Sequence, residues 1–408
     1  MNTPQTAPPA PTQTEKTVVP PSPSLVNELK SRVLQSEQTF LPVLLGIIVI
    51  ATYFQLQNPA FLSSRNISNL ILQVSITGIV AAGMVLVLLT GEIDLSVGSA
   101  AGVSAAVFAI LLEHKGAPLW LSIVGMLLCG VVIGLLNAIL SNWIGAPSFV
   151  VTLAALLAWQ GVQLQILHSQ TINVFNDTVG SLATTYMTPA MGWVVGALVV
   201  VLFAVPNIYD SYKREQRDLE GNPIPVAIVK CAAVALVVAL VVFRLNQAQG
   251  LPLLGILFIA VVSMLGLIMK RTRYGRSVYA VGNSREAARR AGINVPLVLG
   301  SVFIVSGLLA SLGGLVAVSR EAAATSLTGG GTFLLEVIAA AVIGGTSLFG
   351  GRGTVWSALL GALVVGSLSN GLDLIGQSGA VKLIVEGIIL AIAISADAIL
   401  RRRQVSGT

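Results

Sequence analysis

Charge is scarce in this chain: only 10% of its 408 residues are Asp, Glu, Lys or Arg, against roughly a quarter in ordinary soluble domains. With 55% hydrophobic residues, a soluble fold could not cover its own surface. Histidine is limited to His114 and His168, and cysteine to Cys129 and Cys231. Both cysteines lie inside apolar runs, where they read as small buried hydrophobes rather than a disulfide. Both histidines fall in loops beside other polar residues and read as solvated side chains. No metal-ligand spacing occurs, and no nucleophile stands beside a base. No Gly-rich loop ends in Gly-Lys-Ser or Gly-Lys-Thr, so ATP is not held by that device. The chain therefore calls for no catalytic residue, no metal and no cofactor. A net charge of +6 could draw nucleic acid, but the basic residues are confined to short loops, which argues against that partner and for a membrane.

Long apolar runs are what the chain has. A spanning helix needs about 20 mostly apolar residues, and such runs fall near 40–56, 70–90, 95–112, 119–140, 148–167, 191–205, 226–244, 251–269, 297–318, 333–350, 353–372 and 379–398. Their lengths argue helix, because barrel strands are short and alternate polar with apolar residues. The expectation is an all-α polytopic membrane protein with about 12 transmembrane helices. With the N-terminus inside, 18 of the 23 Lys and Arg residues fall on the inner side and 5 on the outer, so both termini are expected in the cytoplasm. Residues 1–35 form a tail; its first 24 residues hold seven of the 17 prolines and cannot build a core. Residues 36–400 form the transmembrane domain, and 401–408 a basic tail.

An internal similarity supports the architecture. Thr77–Glu92, "TGIVAAGMVLVLLTGE", aligns without gaps on Ser306–Glu321, "SGLLASLGGLVAVSRE", and the two stretches run in opposite directions across the predicted membrane. That is the pattern of an inverted repeat, common in transporters, although chance likeness between apolar helices gives the same pattern.

The longest basic loop, 270–296, has a plan of its own. Asn283 or Ser284 can cap a short helix, Glu286 stands near its positive end, and Gly292 can close it. Ala287, Ala288 and Ala291 give that helix a small apolar face, suited to docking in a groove on a cytoplasmic partner. Alternatively the loop only fixes topology.

Three stretches taken together, "LTGEIDLSVGS" (Leu89–Ser99), "GRSVYAVGNSREAARRAGI" (Gly275–Ile293) and "VIGGTSLFGGRGT" (Val342–Thr354), resemble the membrane permease of bacterial sugar importers of the ATP-binding cassette class, the ribose, arabinose, galactoside and xylose group. The similarity covers about residues 40–400. It implies an inner-membrane permease with inverted repeats and two copies around one pathway. The partners it implies are a cytoplasmic ATPase and a periplasmic sugar-binding protein. It also implies that 283–292 is the helix that couples to the ATPase, with Glu286, Ala287 and Gly292 as motif positions and Asn283 at its start. Arg289 and Arg290 are added on charge alone. Members of the group typically have about ten spans; this chain has two more, near 191–205 and 226–244. An enlarged middle resembles the branch that carries D-xylose, which makes a monosaccharide, D-xylose first, the expected cargo.

Pathway or gate candidates are Glu92, Asp94, Ser96, Gln163 and Glu336. Asp94 can cap the helix that follows it, with Ser96 close behind, or the turn can dip inward as part of a gate. Gln163 can serve sugar hydroxyls or helix packing, and Glu336 can face water or the pathway. Lys382 and Glu386, four residues apart, can pair on one face of the last span. The competing functions are a permease for another sugar, a nucleoside or an amino acid, and an ion-coupled secondary transporter, which would need mid-membrane carboxylates and no docking helix.

Overall fold

The computed structural model describes residues 40–217 and 224–405. The Pro-rich tail, residues 218–223 of the charged middle loop and the last three residues of the basic tail lie outside the described residues. The chain opens with α1 (Phe40–Gln57), α2 (Ser64–Leu89), α3 (Val97–Ala109), α4 (Leu119–Ala138) and α5 (Ser148–Leu167); wide π-helical turns, Ile110–His114 and Ile139–Trp143, extend α3 and α4. A short α6 (Asp177–Thr184) precedes α7 (Pro189–Glu215), α8 (Ile224–Asn246) and α9 (Leu253–Arg271). Then come α10 (Arg273–Asn283), α11 (Arg285–Arg290), α12 (Val295–Glu321), α13 (Phe333–Ile343), α14 (Trp356–Leu374) and α15 (Gly379–Val405). Among the described residues the only strands are β1 (Ile172–Asn173) and β2 (Ala323–Ala324), paired antiparallel with Ile172 opposite Ala324.

Twelve of these helices match the twelve apolar runs one for one. Among the described residues, nine are long and apolar enough to cross a membrane, and residues 42–57 and α13 are shorter apolar helices. The protein is an all-α polytopic membrane protein. Helix ends follow local chemistry. Ser63 caps α2 by accepting from the Asn66 N–H, and Thr188 caps α7 just before Pro189. The run at 333–350 is cut short: α13 ends at Ile343, where Gly344 and Gly345 begin a turn.

At the centre lie α2 and α12. Residues 74–89 of α2 and 313–319 of α12 are buried throughout, so the two helices form the core of the bundle. They run antiparallel: a Cβ on Gly83 would lie 3.1 Å from the Ser306 Cα, while Gly313, one helical stretch further on, abuts Val80 and lies near the Ile76 carbonyl. Each central helix packs on the elements that follow the other: α12 against α3 and α4, and α2 against α13 and α14. That exchanged, antiparallel arrangement is the inverted repeat expected from the aligned segments. Close approach is built on missing side chains, since Gly130 of α4 and Gly307 of α12 each abut the other's backbone carbonyl.

The extra pair α7 and α8 packs on itself and touches the centre through α8 and α2. Both of its ends are fastened. Asp210 lies 3.7 Å from both Lys270 and Arg271 at the end of α9, and at the other end the Met187 N–H donates to the Leu251 carbonyl at 2.9 Å. Sequence reading missed α6 and α10, which are short and lack the long apolar runs that mark spans.

Candidate functional site

The three motifs, far apart in sequence, meet at one end of the molecule. α2 ends at Leu89, whose carbonyl accepts from the Gly351 N–H at 2.9 Å. Gly351 has φ +74°, a left-handed conformation that suits glycine, and a Cβ there would strike the Asn283 side chain. Gly282, last turn of α10, leaves no room for a Cβ against the Leu89 carbonyl. Tyr279 of α10 donates its hydroxyl to the Gly353 carbonyl at 3.0 Å. Burial pushes the Tyr279 phenol above its ordinary range, so it stays a protonated donor. The first motif therefore touches the second and third through backbone, with almost no side chain between them.

α11 stands on this knot. Ser284, not Asn283, is its cap, accepting from the Ala287 N–H at 3.2 Å; Gly292, at φ +81°, closes it as expected. Its predicted apolar face is divided: Ala288 is buried against the protein, while Ala287 and Ala291 point outward. Glu286 lies 3.4 Å from Arg289 and 3.0 Å from Arg290, and all three are well exposed. Both arginines thus pair with the one carboxylate within the helix, as i,i+3 and i,i+4 spacing allows. Arg285 behaves differently. Its guanidinium reaches Glu92, in the break between α2 and α3, at 2.5 Å, with the Glu92 side chain 10% exposed and that of Arg285 48%. Sequence reading set Glu92 beside Asp94 and left Arg285 out of the coupling set; nothing local links positions 193 residues apart.

Asp94 does not cap α3, the first of the two roles open to it. The cap position belongs to Ser96, which makes no side-chain bond to the helix N–H groups. Asp94 accepts instead from the Ser96 N–H at 3.0 Å, the Ser96 hydroxyl at 2.7 Å and the Ser306 hydroxyl of α12 at 3.4 Å. Asn137 of α4 donates to the Ser96 oxygen at 2.8 Å. Ser306 lies 11 residues into α12, about 16 Å along its axis from the α11 end. The turn therefore reaches into the protein, its carboxylate bonded to α12 through Ser306 and linked to α4 by way of Ser96.

At the opposite half is a cavity of about 190 Å³, lined by Gln73 and Thr77 of α2, Ala101 of α3, Arg320 and Glu321 of α12, Thr328 in the loop after β2, and Glu336 of α13. Thr77 is 12 residues from Leu89, about 18 Å along α2. Glu336 accepts from Thr332 at 3.2 Å and also borders a smaller cavity between α13, α14 and α15. Gln163 does not line the cavity. It is buried and donates to the Thr325 and Thr328 carbonyls at 2.9 and 3.0 Å, holding the loop that does. That loop lies on Gly98 and Gly102 of α3, where a Cβ would strike the Gly329 and Thr328 carbonyls. Lys382 pairs with Asp373 of α14 rather than with Glu386, because the neighbouring helix presents its carboxylate to the same face. Among the described residues no group of His, Cys, Asp and Glu could hold a metal.

An antiparallel helical pair, a break after α2 whose carboxylate reaches α12, a polar cavity in one half and a motif knot in the other suit a transport permease. The comparisons agree. Residues 66–394 match the family described as branched-chain amino acid transport system / permease component, and the chain belongs to that family. It is 36% identical over 357 residues to the xylose transport system permease protein XylH of Haemophilus influenzae, covering 87% of this chain and 95% of that protein. It is 35% identical to XylH of Escherichia coli over 90% of this chain and 93% of that protein. The ribose import permease protein RbsC of Bacillus subtilis is 30% identical over 86% of this chain and 91% of that protein. No solved structure matches.

Proposed function

We propose that the protein is the permease subunit of an ATP-driven importer in the bacterial inner membrane, carrying a monosaccharide, D-xylose first. The observation that carries this reading is α11, a short charged helix exposed on its outer face and seated where the three motifs meet. A secondary transporter has no use for such a helix. Asn283, Glu286, Ala287, Arg289, Arg290 and Gly292 then face a cytoplasmic ATPase subunit, which places both termini in the cytoplasm. A periplasmic sugar-binding protein delivers cargo to the opposite face, and a second copy of the chain completes the pathway within the lipid bilayer.

The cavity supports a polyhydroxylated cargo. Gln73, Thr77, Thr328 and Glu336 supply amide, hydroxyl and carboxylate groups, the partners that sugar hydroxyls need when water is withdrawn. Asp94 and Ser96 belong to the gate-side turn rather than to the cargo site. Xylose is preferred because relatives at 35–36% identity are named xylose permeases. Ribose and D-allose are the second reading, favoured by relatives at 29–31% identity. Uptake of labelled xylose into cells carrying the permease with its ATPase and binding protein separates them. Excess unlabelled xylose should abolish uptake while ribose and allose leave most of it; stronger competition by either of those would reassign the cargo.

A further inference from the structure

From the contact between Arg285 and Glu92 we infer that this ion pair is the latch through which the coupling helix moves the α2–α3 break, making Glu92 and Arg285 positioning residues of transport. The inference rests on the permease reading and deepens it by naming the link within the chain.

Among the described residues, Arg285 is the one charged side chain of α11 bonded outside its own helix. Arg289 and Arg290 both donate to Glu286 of the same helix, so pulling on them moves α11 without addressing another element. Arg285 is the first residue of α11, beside the Ser284 cap, and its position is tied to the helix start. Its partner Glu92 sits in the seven-residue break between Leu89 and Val97, tied to the end of α2 by its own N–H, which donates to the Val87 carbonyl at 3.3 Å. The same break carries Asp94, bound to α12 through Ser306, and the Ile93 carbonyl, which accepts from Thr152 of α5 at 3.2 Å. The helices on either side reach the cavity, α2 through Gln73 and Thr77 and α3 through Ala101. A displacement of α11 is thus handed to a segment that joins two cavity-lining helices, α2 and α3. A charge-assisted contact at 2.5 Å with a nearly buried carboxylate suits this task, since it is short, directional and poorly screened by salt.

The test uses proteoliposomes holding the permease with its ATPase, assayed with and without the sugar-loaded binding protein. Glu92→Gln keeps the shape of the side chain, and Arg285→Gln alters a half-exposed one, so at least one of the two should insert and fold. Each should lower the ratio of stimulated to basal ATP hydrolysis about fivefold or more. The cargo concentration for half-maximal uptake should change by less than about twofold. The double variant should be no worse than the poorer single, because both remove one interaction, and Arg285→Lys should recover part of the ratio. A full ratio in either folded single variant, or losses that multiply in the double, would overturn the latch. Failure of the wild-type complex to couple uptake to ATP would instead strike the permease reading itself.

Discussion

Glu92 and Asp94 stand two residues apart, yet they answer to different neighbours. Glu92 meets a cation from α11, whereas Asp94 is closed in by the hydroxyls of Ser96 and Ser306 and the Ser96 N–H. A buried carboxylate removed from its donors leaves those donors unpaired. Asp94→Ala should therefore destabilise the protein by about 2–4 kcal/mol, read as a clear fall in melting temperature in detergent. Asp94→Asn should cost much less, because its oxygen can accept from Ser96 and its amide can donate to Ser306. Equal losses in the two variants would show that the side-chain bonds are not what holds the turn. From sequence, the two carboxylates were legible as an anomaly and their motif as diagnostic. Their partners were not, since Arg285 and Ser306 lie about 200 positions away and periodicity carries no information over that distance. For Gln163 the chemistry was visible but the direction was not. Its amide serves a loop backbone, one of the two uses glutamine offered from the start.

At the scale of elements, apolar run length and flanking charge were enough to mark all twelve apolar helices. Among the short elements only α11 was anticipated, from its caps. α6 and α10 are brief and polar, and α13 stops after 11 residues because the Gly344–Gly345 turn interrupts an otherwise continuous apolar run. Close packing was hidden as well, since 41 glycines do not announce which of them lie against a neighbour. Gly102 and Gly161 make the contrast testable. A Cβ at Gly102 would overlap the Gln163 amide oxygen and the Thr328 carbonyl, whereas Gly161 has open space. Gly102→Ala should cost about 1–3 kcal/mol through overpacking, while Gly161→Ala should be neutral or stabilising by about 0.5–1 kcal/mol from helix propensity. Thermal melts of the two purified variants decide it; equal stability would mean that the loop at 325–331 is free to move away from α3.

For the molecule as a whole, two buried antiparallel helices exchange neighbours, a polar cavity opens in one half and a charged helix stands on the other. The inverted repeat was readable only as a weak alignment of Thr77–Glu92 with Ser306–Glu321, and the fold supplies the reason for it: each segment is the central helix of its half. Under the proposed function, the cavity, the knot and α11 serve transport that takes its energy from a separate ATPase. The most direct measurement is sugar uptake into membrane vesicles with the partner ATPase present or depleted, under an imposed ion gradient in both cases. The account predicts uptake that requires ATP and the ATPase and ignores the gradient. Uptake that persists without the ATPase and follows the gradient would contradict it.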